Sequence, residues 1–421
     1  MSSLDERKYV LIVPDGAGDV QRRHGRTPMA EAETPWSDWV ASQGVCGLMQ
    51  TLYPDLPRGS IVAQLGMLGW DPYQFSCLGR SAWELLALDH IDLSASDLVF
   101  RANFVQMEGK RLKSYNAGFI ESGAARRLVA RIEHEIGRNF QGIELHHSSD
   151  FRNSLVVRGA ALSPALFDCP EPHESEGTEF DLRRLVAGRD PASRMLANRV
   201  NCYLVNAVEV LRGEQANALF AWSPALPLSL AGFHENTGFA GRAAIVGCVD
   251  FLQGIARAAG IDFYRTGNGR PHTDYAAKGA RTVELLRQGY SFVFCHVNGP
   301  DEAAHMRERG LKIYCLEQID SHIVRPVVEY FDQHPGELGG VMLAPDHFTN
   351  LLTDDARRVD SHSLHPVPFA LWNGVERDQV SAFHEDEARG GKYGASPIHH
   401  LELLSLLGVA RRSLVPRQIA V

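Results

Sequence analysis

The chain has 421 residues, and at the usual size of a domain this length predicts two or three domains with sizeable apolar cores. Its composition, 44% hydrophobic and 22% charged, is that of an ordinary globular protein. The formal net charge of −9 and the pI of about 6.1 argue against a nucleic-acid-binding protein, although local arginines can still line one anion pocket.

The cysteines and the N-terminus indicate a cellular compartment. The seven cysteines are odd in number, scattered, and never spaced as Cys-x-x-Cys, so we interpret them as buried reduced thiols. The first residues, MSSLDERKYV, lack the basic-then-apolar order of a signal peptide. No apolar stretch approaches the roughly 18 residues of a membrane span. These features predict a soluble, cytoplasmic protein that binds neither membrane nor nucleic acid.

Three segments begin with an apolar run rich in β-branched or aromatic residues and end in a polar cluster. They are KYVLIVPDGAGD (8–19), YSFVFCHVNGPDEAAH (290–305) and GGVMLAPDHFTN (339–350). Continuous apolar runs are typical of strands that are buried on both faces of a parallel sheet. Ligands of such sheets bind beyond the carboxyl ends of the strands. The polar clusters therefore predict a site at that edge.

Helical patterns separate these strands. AAKGARTVELLRQ and LKIYCLEQIDSHIVRPVVEYF both carry apolar residues at helical spacing. Strands that alternate with helices predict an α/β fold.

The middle of the chain has a different character. From about residue 98 to about residue 241 it holds further alternating or apolar runs, interrupted by the acidic, proline-containing CPEPHESEGTEFD (169–181). Because the strand-end clusters lie near both chain ends, both ends must complete one sheet. We therefore predict a discontinuous domain of residues 1–78 and 246–421, with residues 79–245 inserted as a smaller domain.

Potential metal ligands follow the predicted strands. In chain order they are Asp15, Asp301, His305, Asp346, His347, His362 and His365. Each has a simpler explanation when taken alone, as a turn, helix-surface or loop residue. Together they predict a site for two divalent ions, and a mixture of carboxylates and imidazoles suits manganese or zinc.

Ser60 has two interpretations. It follows Gly59, where a tight turn opens into the helical pattern of Val62–Leu68. A serine in this place can cap the helix. Beside a two-metal site it can instead be a nucleophile, with the helix N-terminus facing an anion.

The residues also carry a family resemblance. The chain resembles the cofactor-independent phosphoglycerate mutases, in the shorter archaeal-type branch of the alkaline phosphatase superfamily. The matching segments are PDGAGD, TPMAEAETPWSDWVASQGVCGL, GSIVAQLGMLGWDP, GRSAWELLAL, RANF, GPDEAAH, LEQID, PDH and HSLHPVPF. The resemblance implies an alkaline-phosphatase-like, mostly parallel sheet flanked by helices, with an inserted smaller α/β or α+β domain that binds substrate.

The resemblance also implies how the ligands divide between two ions. One ion would have the ligands Asp15, Ser60, Asp346 and His347. The other would have the ligands Asp301, His305 and His362. Ser60 would also be the nucleophile that forms a phosphoserine intermediate. His362 is preferred to His365 because the family places this histidine four residues before the first proline of PVPF.

The implied activity is the metal-dependent interconversion of 3-phosphoglycerate and 2-phosphoglycerate by a monomer or homo-oligomer. The ions would be manganese or zinc, with magnesium possible, and no 2,3-bisphosphoglycerate would be needed. Arg80, Arg101 and Lys278 match basic positions of the family and are candidate contacts to a small phosphorylated carboxylic acid. The alternatives are a solvated or salt-bridged surface residue for each, and a helix-start residue for Arg80.

Four stretches depart from the family pattern. SIVAQL stands in place of Ser-Asp-x-Ala-Asn, and SYNAGFI (114–120) lacks the expected acidic and basic ends. AWSPALP (221–227) replaces a Gly-rich segment, and EPHESEG matches a Pro-His-Asp motif only in part. The alternative function is therefore a phosphohydrolase, or a phosphotransferase or mutase that acts on another small phosphorylated or phosphonate metabolite with the same two-metal serine chemistry.

Overall fold

A computed structural model describes residues 7–20, 25–75, 83–84, 86–87, 91–227, 229–351 and 362–414. The strands are β1 Lys8–Pro14, β2 Val45–Gln50, β3 Leu98–Glu108, β4 Arg111–Ser114, β5 Ile143–Ser149, β6 Arg152–Val157, β7 Phe167–Asp168, β8 Ala187–Gly188, β9 Ala218–Ala225, β10 Ala243–Gly247, β11 Asp262–Arg265, β12 Phe292–Val297, β13 Leu338–Leu343, β14 Phe348–Thr349, β15 His362–Ser363, β16 Val367–Trp372 and β17 Tyr393–His399.

The α-helices are Pro28–Glu31, Pro35–Ser42, Ser60–Met67, Ser122–Glu135, Pro191–Val210, Phe233–Thr237, Asp250–Ala259, Tyr275–Arg287, Gly299–His305, Arg309–Ile319, Arg325–Gln333, Glu385–Arg389 and Leu403–Leu407. A π-helical turn, Asp320–Val324, joins Arg309–Ile319 to Arg325–Gln333. Among the described helices, none combines the length and the apolar character that a bilayer crossing requires.

The chain divides into two compact units. The first comprises residues 1–76, 231–249 and 256–421, and the second comprises residues 77–230 and 250–255. The second unit leaves out residues 231–245, because β10 pairs with β11 and β12 in the sheet of the first unit, and it includes residues 250–255. Residues 231–245 therefore belong with the first unit. The substrate-binding role of the second unit stays a prediction.

The first unit is built on a mostly parallel sheet. Its eight strands have the order β11-β10-β12-β1-β13-β16-β2-β17. β1 is parallel to both β12 and β13, and β10 is parallel to β11 and β12. β16 is antiparallel to β13 and β2, so β2 runs in the same direction as the central strands. The predicted α/β sheet is confirmed.

The apolar run of β1 explains its central position. Val10, Leu11, Ile12 and Val13 have no exposed surface, so successive side chains are buried on opposite faces of the sheet. Burying an aliphatic side chain of this size stabilises the fold by about 1.5–3 kcal/mol. On one face, Val10 and Ile12 share an apolar cluster with helix residues such as Leu286.

The parallel register brings three strand ends together. Pro14 of β1 lies opposite Val297 of β12, and Ile12 lies opposite Leu343 of β13. The segments that follow β1, β12 and β13 therefore leave the sheet at the same edge. This edge carries the candidate site.

The second unit has an antiparallel sheet in which β4, β3, β6 and β5 are neighbours and β9 also pairs with β3. Two helices, Ser122–Glu135 and Pro191–Val210, contribute to its apolar core, for example through Ile132 and Leu204. This α+β organisation confirms the predicted class of the insert.

Candidate metal centre and nucleophile

The structure brings the predicted metal-ligand side chains together at the carboxyl edge of the first unit's sheet. Asp15 follows β1, the pair Asp346 and His347 follows β13, and Ser60 begins the helix Ser60–Met67. Asp301 and His305 lie on the helix Gly299–His305 after β12, and His362 begins β15. Most of these side chains are buried, whereas His305 is exposed and His362 is partly exposed.

One group of donor atoms surrounds the Ser60 hydroxyl. Ser60 Oγ lies 3.1 Å from His347 Nε2 and 3.5 Å from Asp15 Oδ1. His347 Nε2 lies 3.3 Å from Asp15 Oδ1 and 3.6 Å from Asp346 Oδ2. Donor atoms bound to one tetrahedral ion at about 2.0–2.1 Å are about 3.3 Å apart. Ser60 Oγ, Asp15 Oδ1 and His347 Nε2 are therefore spaced as donors to one ion would be, and Asp346 Oδ2 lies beside His347.

A second group of donor atoms lies around Asp301. Its Oδ1 is 3.4 Å from His305 Nε2 and 3.5 Å from His362 Nε2. The two imidazole nitrogens are 3.2 Å apart. His365 is placed differently, because its Nδ1 lies 2.8 Å from Ser363 Oγ. The geometry thus brings His362, and not His365, to the second group.

The two groups meet at His347. Donor atoms of Asp301, His347 and His362 all lie within 4.8 Å of one another. A further compact set contains Asp15, Asp346 and His296, and His296 was not among the predicted ligands. The assignment of each donor to one ion therefore stays a proposal.

Thr349 connects the two groups of donors. Its hydroxyl donates to Asp301 Oδ1 at 2.6 Å and lies 3.1 Å from His347 Nδ1. Because the single hydroxyl proton is used on Asp301, the Nδ1–H of His347 must be the donor in the second contact. His347 Nε2 then presents its lone pair to the Ser60 group. Such hydrogen bonds orient a metal-binding imidazole and fix its tautomer.

Gly16 allows the loop after β1 to approach these groups. It has a φ of +63°, and a Cβ there would lie 2.4 Å from Thr349 Oγ1 and 2.7 Å from Asp301 Oδ1. Its backbone N–H donates to Asp346 Oδ1 at 2.9 Å. Both the left-handed conformation and the close approach require glycine.

The pKa shifts of two of these side chains favour the protonation states that bind metal ions. Burial lowers the pKa of His347 to about 4, so the imidazole is neutral near pH 7. Burial opposes ionisation of Asp301, but hydrogen bonds from His305 and His362 outweigh it and hold the pKa of Asp301 well below its usual range. Neutral imidazole and ionised carboxylate are the forms that bind metal ions.

Comparison with known proteins decides the family. Residues 41–217 match the family model of the 2,3-bisphosphoglycerate-independent phosphoglycerate mutases. A mutase of this name from Methanosarcina mazei is 31% identical over 403 residues, which cover 92% of this chain and 96% of that protein. The chain belongs to this family. It is therefore an isomerase of the phosphoglycerate mutase type.

Other relatives agree with this family. A probable mutase of the same name from Geobacter sulfurreducens is 30% identical and is covered to 95% of its length, with 91% of this chain aligned. A protein from Pyrococcus horikoshii has a solved structure that matches with a TM-score of 0.72 at 27% identity, over 97% of this chain and 99% of that one. The cofactor-independent mutase of Thermoplasma acidophilum shares the fold, with a TM-score of 0.58 at 24% identity, over 96% of this chain and 99% of that one.

In this member of the mutase family, Ser60 is not the helix cap. Gly59 occupies the N-cap position of the helix Ser60–Met67, and no side chain caps that end. The Ser60 hydroxyl points instead to Asp15 and His347. This geometry leaves the hydroxyl among the donor atoms, where the nucleophile interpretation requires it.

Three buried residues of the site were missed from the sequence, namely Gln64, His296 and Thr349. His296 Nε2 lies 3.0 Å from Asp15 Oδ2, and Gln64 Nε2 lies 2.9 Å from Asp346 Oδ2. One available signal was an ionisable histidine inside the apolar run FVFCHV, because a buried imidazole needs polar partners. Gln64 was noted only as a departure from the family pattern.

The predicted substrate contacts have different surroundings. Lys278 has no exposed surface, and its Nζ donates to the His296 carbonyl at 3.1 Å. Arg101, in the second unit, is 4% exposed, lies 2.8 Å from the Glu84 carboxylate and covers the Trp222 ring at 4.5 Å. Arg80 lies outside the described residues. The substrate-binding role of all three stays a prediction.

Proposed function

We propose that this mutase interconverts 3-phosphoglycerate and 2-phosphoglycerate through a phosphoserine formed on Ser60. The observation that carries the proposal is the position of Ser60 Oγ, 3.1 Å from His347 Nε2 and 3.5 Å from Asp15 Oδ1, in a chain of this family. A serine hydroxyl is a weak nucleophile by itself and needs such surroundings to react.

The donor atoms fit two divalent ions. The Ser60 group offers oxygens from two carboxylates and a hydroxyl with one imidazole, and the Asp301 group offers one carboxylate and two imidazoles. Such mixed sets favour manganese or zinc, and magnesium is the third candidate. Ions bound there supply positive charge beside the Ser60 hydroxyl and beside the phosphoryl oxygens that gain charge during transfer.

The reaction then needs two transfers. Ser60 Oγ attacks the phosphorus of 3-phosphoglycerate, the bond from phosphorus to the C3 oxygen breaks, and that oxygen takes up a proton. The C2 hydroxyl of the bound glycerate next attacks the phosphoserine, loses its proton, and breaks the bond from Ser60 Oγ to phosphorus. Ser60 recovers its proton, so the cycle is balanced. The phosphoryl group always comes from the substrate, and no 2,3-bisphosphoglycerate is consumed.

Recognition of an anionic substrate requires cationic side chains. A phosphorylated carboxylic acid carries several negative charges, and the chain as a whole has a net charge of −9, so binding requires local positive groups. Arg80, Arg101 and Lys278 remain the proposed contacts. We propose a cytoplasmic location, which suits an enzyme of small-metabolite chemistry.

A coupled assay tests the proposed function. The purified protein is given 3-phosphoglycerate and Mn²⁺, and both 2-phosphoglycerate and inorganic phosphate are measured. We expect 2-phosphoglycerate to form with little phosphate release, and we expect a chelator to abolish turnover. Release of phosphate in proportion to substrate consumed would show a hydrolase instead. Full activity after exhaustive chelation would refute the two-metal site.

One observation favours a second candidate, a mutase or phosphotransferase that acts on another phosphorylated or phosphonate acid. In the stretch 114–120, which lacks the basic end of the family pattern, Phe119 is 59% exposed and has a φ of +60°. An exposed aromatic residue in a strained conformation is often a functional feature. If 3-phosphoglycerate is not converted, phosphate release and phosphoserine formation should be measured with a panel of small phosphorylated and phosphonate acids.

A further inference from the structure

Two buried side chains outside the predicted donor set contact the carboxylates beside Ser60. His296 Nε2 lies 3.0 Å from Asp15 Oδ2, whereas the other oxygen of Asp15 faces Ser60. Gln64 Nε2 lies 2.9 Å from Asp346 Oδ2 and 2.9 Å from His296 Nε2. Gln64 and His296 have no exposed surface. The contacts therefore form one buried network of two carboxylates, an amide and an imidazole.

The network connects three parts of the fold. Gln64 lies four residues after Ser60 on the helix Ser60–Met67, and this spacing places both side chains on the same helix face. His296 projects from β12, and the two carboxylates follow β1 and β13. Gln64 thus connects the helix that begins with Ser60 to the loop after β13, because it contacts Asp346.

The protons of this network cannot satisfy every contact. If both His296 Nε2 and the facing Gln64 nitrogen carry protons, two donors meet at 2.9 Å. If the Gln64 amide is turned, its oxygen accepts from His296 but then faces Asp346 Oδ2 at 2.9 Å. If His296 Nε2 carries no proton, it accepts from Gln64 but then faces Asp15 Oδ2 at 3.0 Å.

Buried groups elsewhere in proteins almost always find partners of the opposite kind. With both carboxylates ionised, each of these assignments leaves two like groups in contact, and in the described part of the chain Gln64 Oε1 and His296 Nδ1 have no partner. In the first assignment both side chains donate to carboxylates, His296 to Asp15 at 3.0 Å and Gln64 to Asp346 at 2.9 Å, so together they hold these two carboxylates in place.

We infer that Gln64 and His296 are positioning residues that set the affinity of the ion on the Ser60 side. His296 contacts Asp15 Oδ2, which leaves Oδ1 facing Ser60, and Gln64 contacts Asp346 Oδ2, the oxygen that lies 3.6 Å from His347 Nε2. This inference rests on the proposed two-metal function. It predicts that the ion held by Asp301, His305 and His362 is little affected by changes in this pair.

The test is a titration of the protein with Mn²⁺, in which binding is measured by calorimetry and by the EPR signal of free Mn²⁺. His305→Ala removes one donor of the Asp301-side ion, so in this background the remaining strong site is the one beside Ser60. We expect His296→Leu and Gln64→Leu to weaken that site about 10–100-fold, the usual effect of losing a partner of a metal ligand. In the otherwise wild-type chain, the affinity for the Asp301-side ion should change by less than about threefold.

Two further variants separate positioning from a structural role. His296→Gln keeps an N–H that can reach Asp15, and we expect it to recover most of the affinity lost in His296→Leu. Gln64→Glu has nearly the same shape but adds a third carboxylate, so we expect it to lower Tm in chelator and to show a larger rise in Tm on adding Mn²⁺ than the wild type. A residue that only fills space would give neither result.

His400→Leu is the matched control. His400 is also fully buried, and it packs against Gly66 of the same helix. Its replacement should leave Mn²⁺ affinity unchanged. If His296→Leu and Gln64→Leu bind the Ser60-side ion as tightly as the parent, the inference is overturned while the two-metal function stands. If the wild type binds none of Mn²⁺, Zn²⁺ and Mg²⁺, the two-metal function itself is overturned.

Discussion

A single hydroxyl group connects the two donor groups of the proposed metal centre. Thr349 Oγ1 donates to Asp301 and accepts from the Nδ1–H of His347, so it orients one ligand of each donor group. Thr349 has no exposed surface, and its oxygen is one of the atoms that exclude any side chain larger than glycine at position 16. At the scale of residues, this hydroxyl determines the tautomer on which metal binding by His347 depends.

Thr349→Val tests this role. Valine has nearly the same shape but loses the hydroxyl, so Asp301 and His347 each lose a hydrogen-bond partner. We expect Mn²⁺ affinity to fall about 10–100-fold, as measured by calorimetry. Thr282→Val is the control, because Thr282 is equally buried but donates to the Lys278 carbonyl within its own helix. Equal affinities in the Thr349 variant and the wild type would contradict this role.

His400 should make the protein sensitive to acid. Burial lowers the pKa of this histidine to about 3, far below the value of about 6.5 for an unfolded chain. A lowered pKa gives stability that is present above pH 6.5 and is lost as the pH falls toward 3. Each proton taken up on unfolding changes the free energy of unfolding by about 1.4 kcal/mol per pH unit.

In His400→Leu, the unfolding free energy should change less steeply with pH between pH 6.5 and 4, by up to about 1.4 kcal/mol per pH unit. Urea titrations at several pH values measure it. Exposed His134 provides the control variant His134→Gln, which should retain the wild-type slope. Identical slopes for His400→Leu and the wild type would show that His400 does not take up a proton on unfolding.

The limits of sequence reasoning are clear at these positions. Asp346 and His347 were predictable because an acidic and an imidazole side chain adjoin directly after an apolar run. Gln64, His296 and Thr349 were not found, since glutamine in a helix, histidine in a strand and threonine in a turn are all ordinary. Their importance comes from distances between segments that are far apart in the chain.

At the scale of elements, a buried lysine holds together the two loops that carry Asp15, Asp346 and His347, the proposed ligands on the Ser60 side. Lys312, on the helix Arg309–Ile319, donates to the Gly18 carbonyl at 3.0 Å and to the Thr349 carbonyl at 2.8 Å. It also lies 3.2 Å from Asp19 Oδ2. The loop after β1 and the loop after β13 are thus held by one cation that has no exposed surface.

Lys312→Met should be strongly destabilising. It keeps the length of the side chain but leaves Asp19 buried without its cationic partner, which costs about 3–5 kcal/mol. Urea unfolding measures the loss, and Lys312→Met combined with Asp19→Asn should be less destabilised than Lys312→Met alone. Lys392→Met, which breaks the half-exposed pair with Glu376, should destabilise the protein far less than Lys312→Met. Similar losses in both lysine variants would contradict this explanation.

At the scale of the whole molecule, the sequence predicted a discontinuous first domain because strand-end ligands occur near both chain ends. The sheet of the first unit combines strands from both parts of the chain, since β1 and β2 lie in it with β10–β13, β16 and β17. The predicted boundary at residue 245 differs from the division into units at residues 231–245, because β10 is a short alanine-containing run, AAIVG, that gives a weak strand pattern. Its place in the sheet depends on pairing with β11 and β12, and such pairing is not visible in local sequence.

The most direct test of the central proposal is to trap the phosphoryl group on Ser60. The Mn²⁺-loaded enzyme is mixed briefly with 3-phosphoglycerate, quenched in acid, digested and examined by mass spectrometry. We expect a phosphoseryl peptide that contains Gly59–Ile61, and we expect Ser60→Ala to bind two ions yet turn over at least about a thousandfold more slowly. An Ser60→Ala variant that keeps the wild-type rate, with no phosphoserine in the wild type, would contradict the proposal.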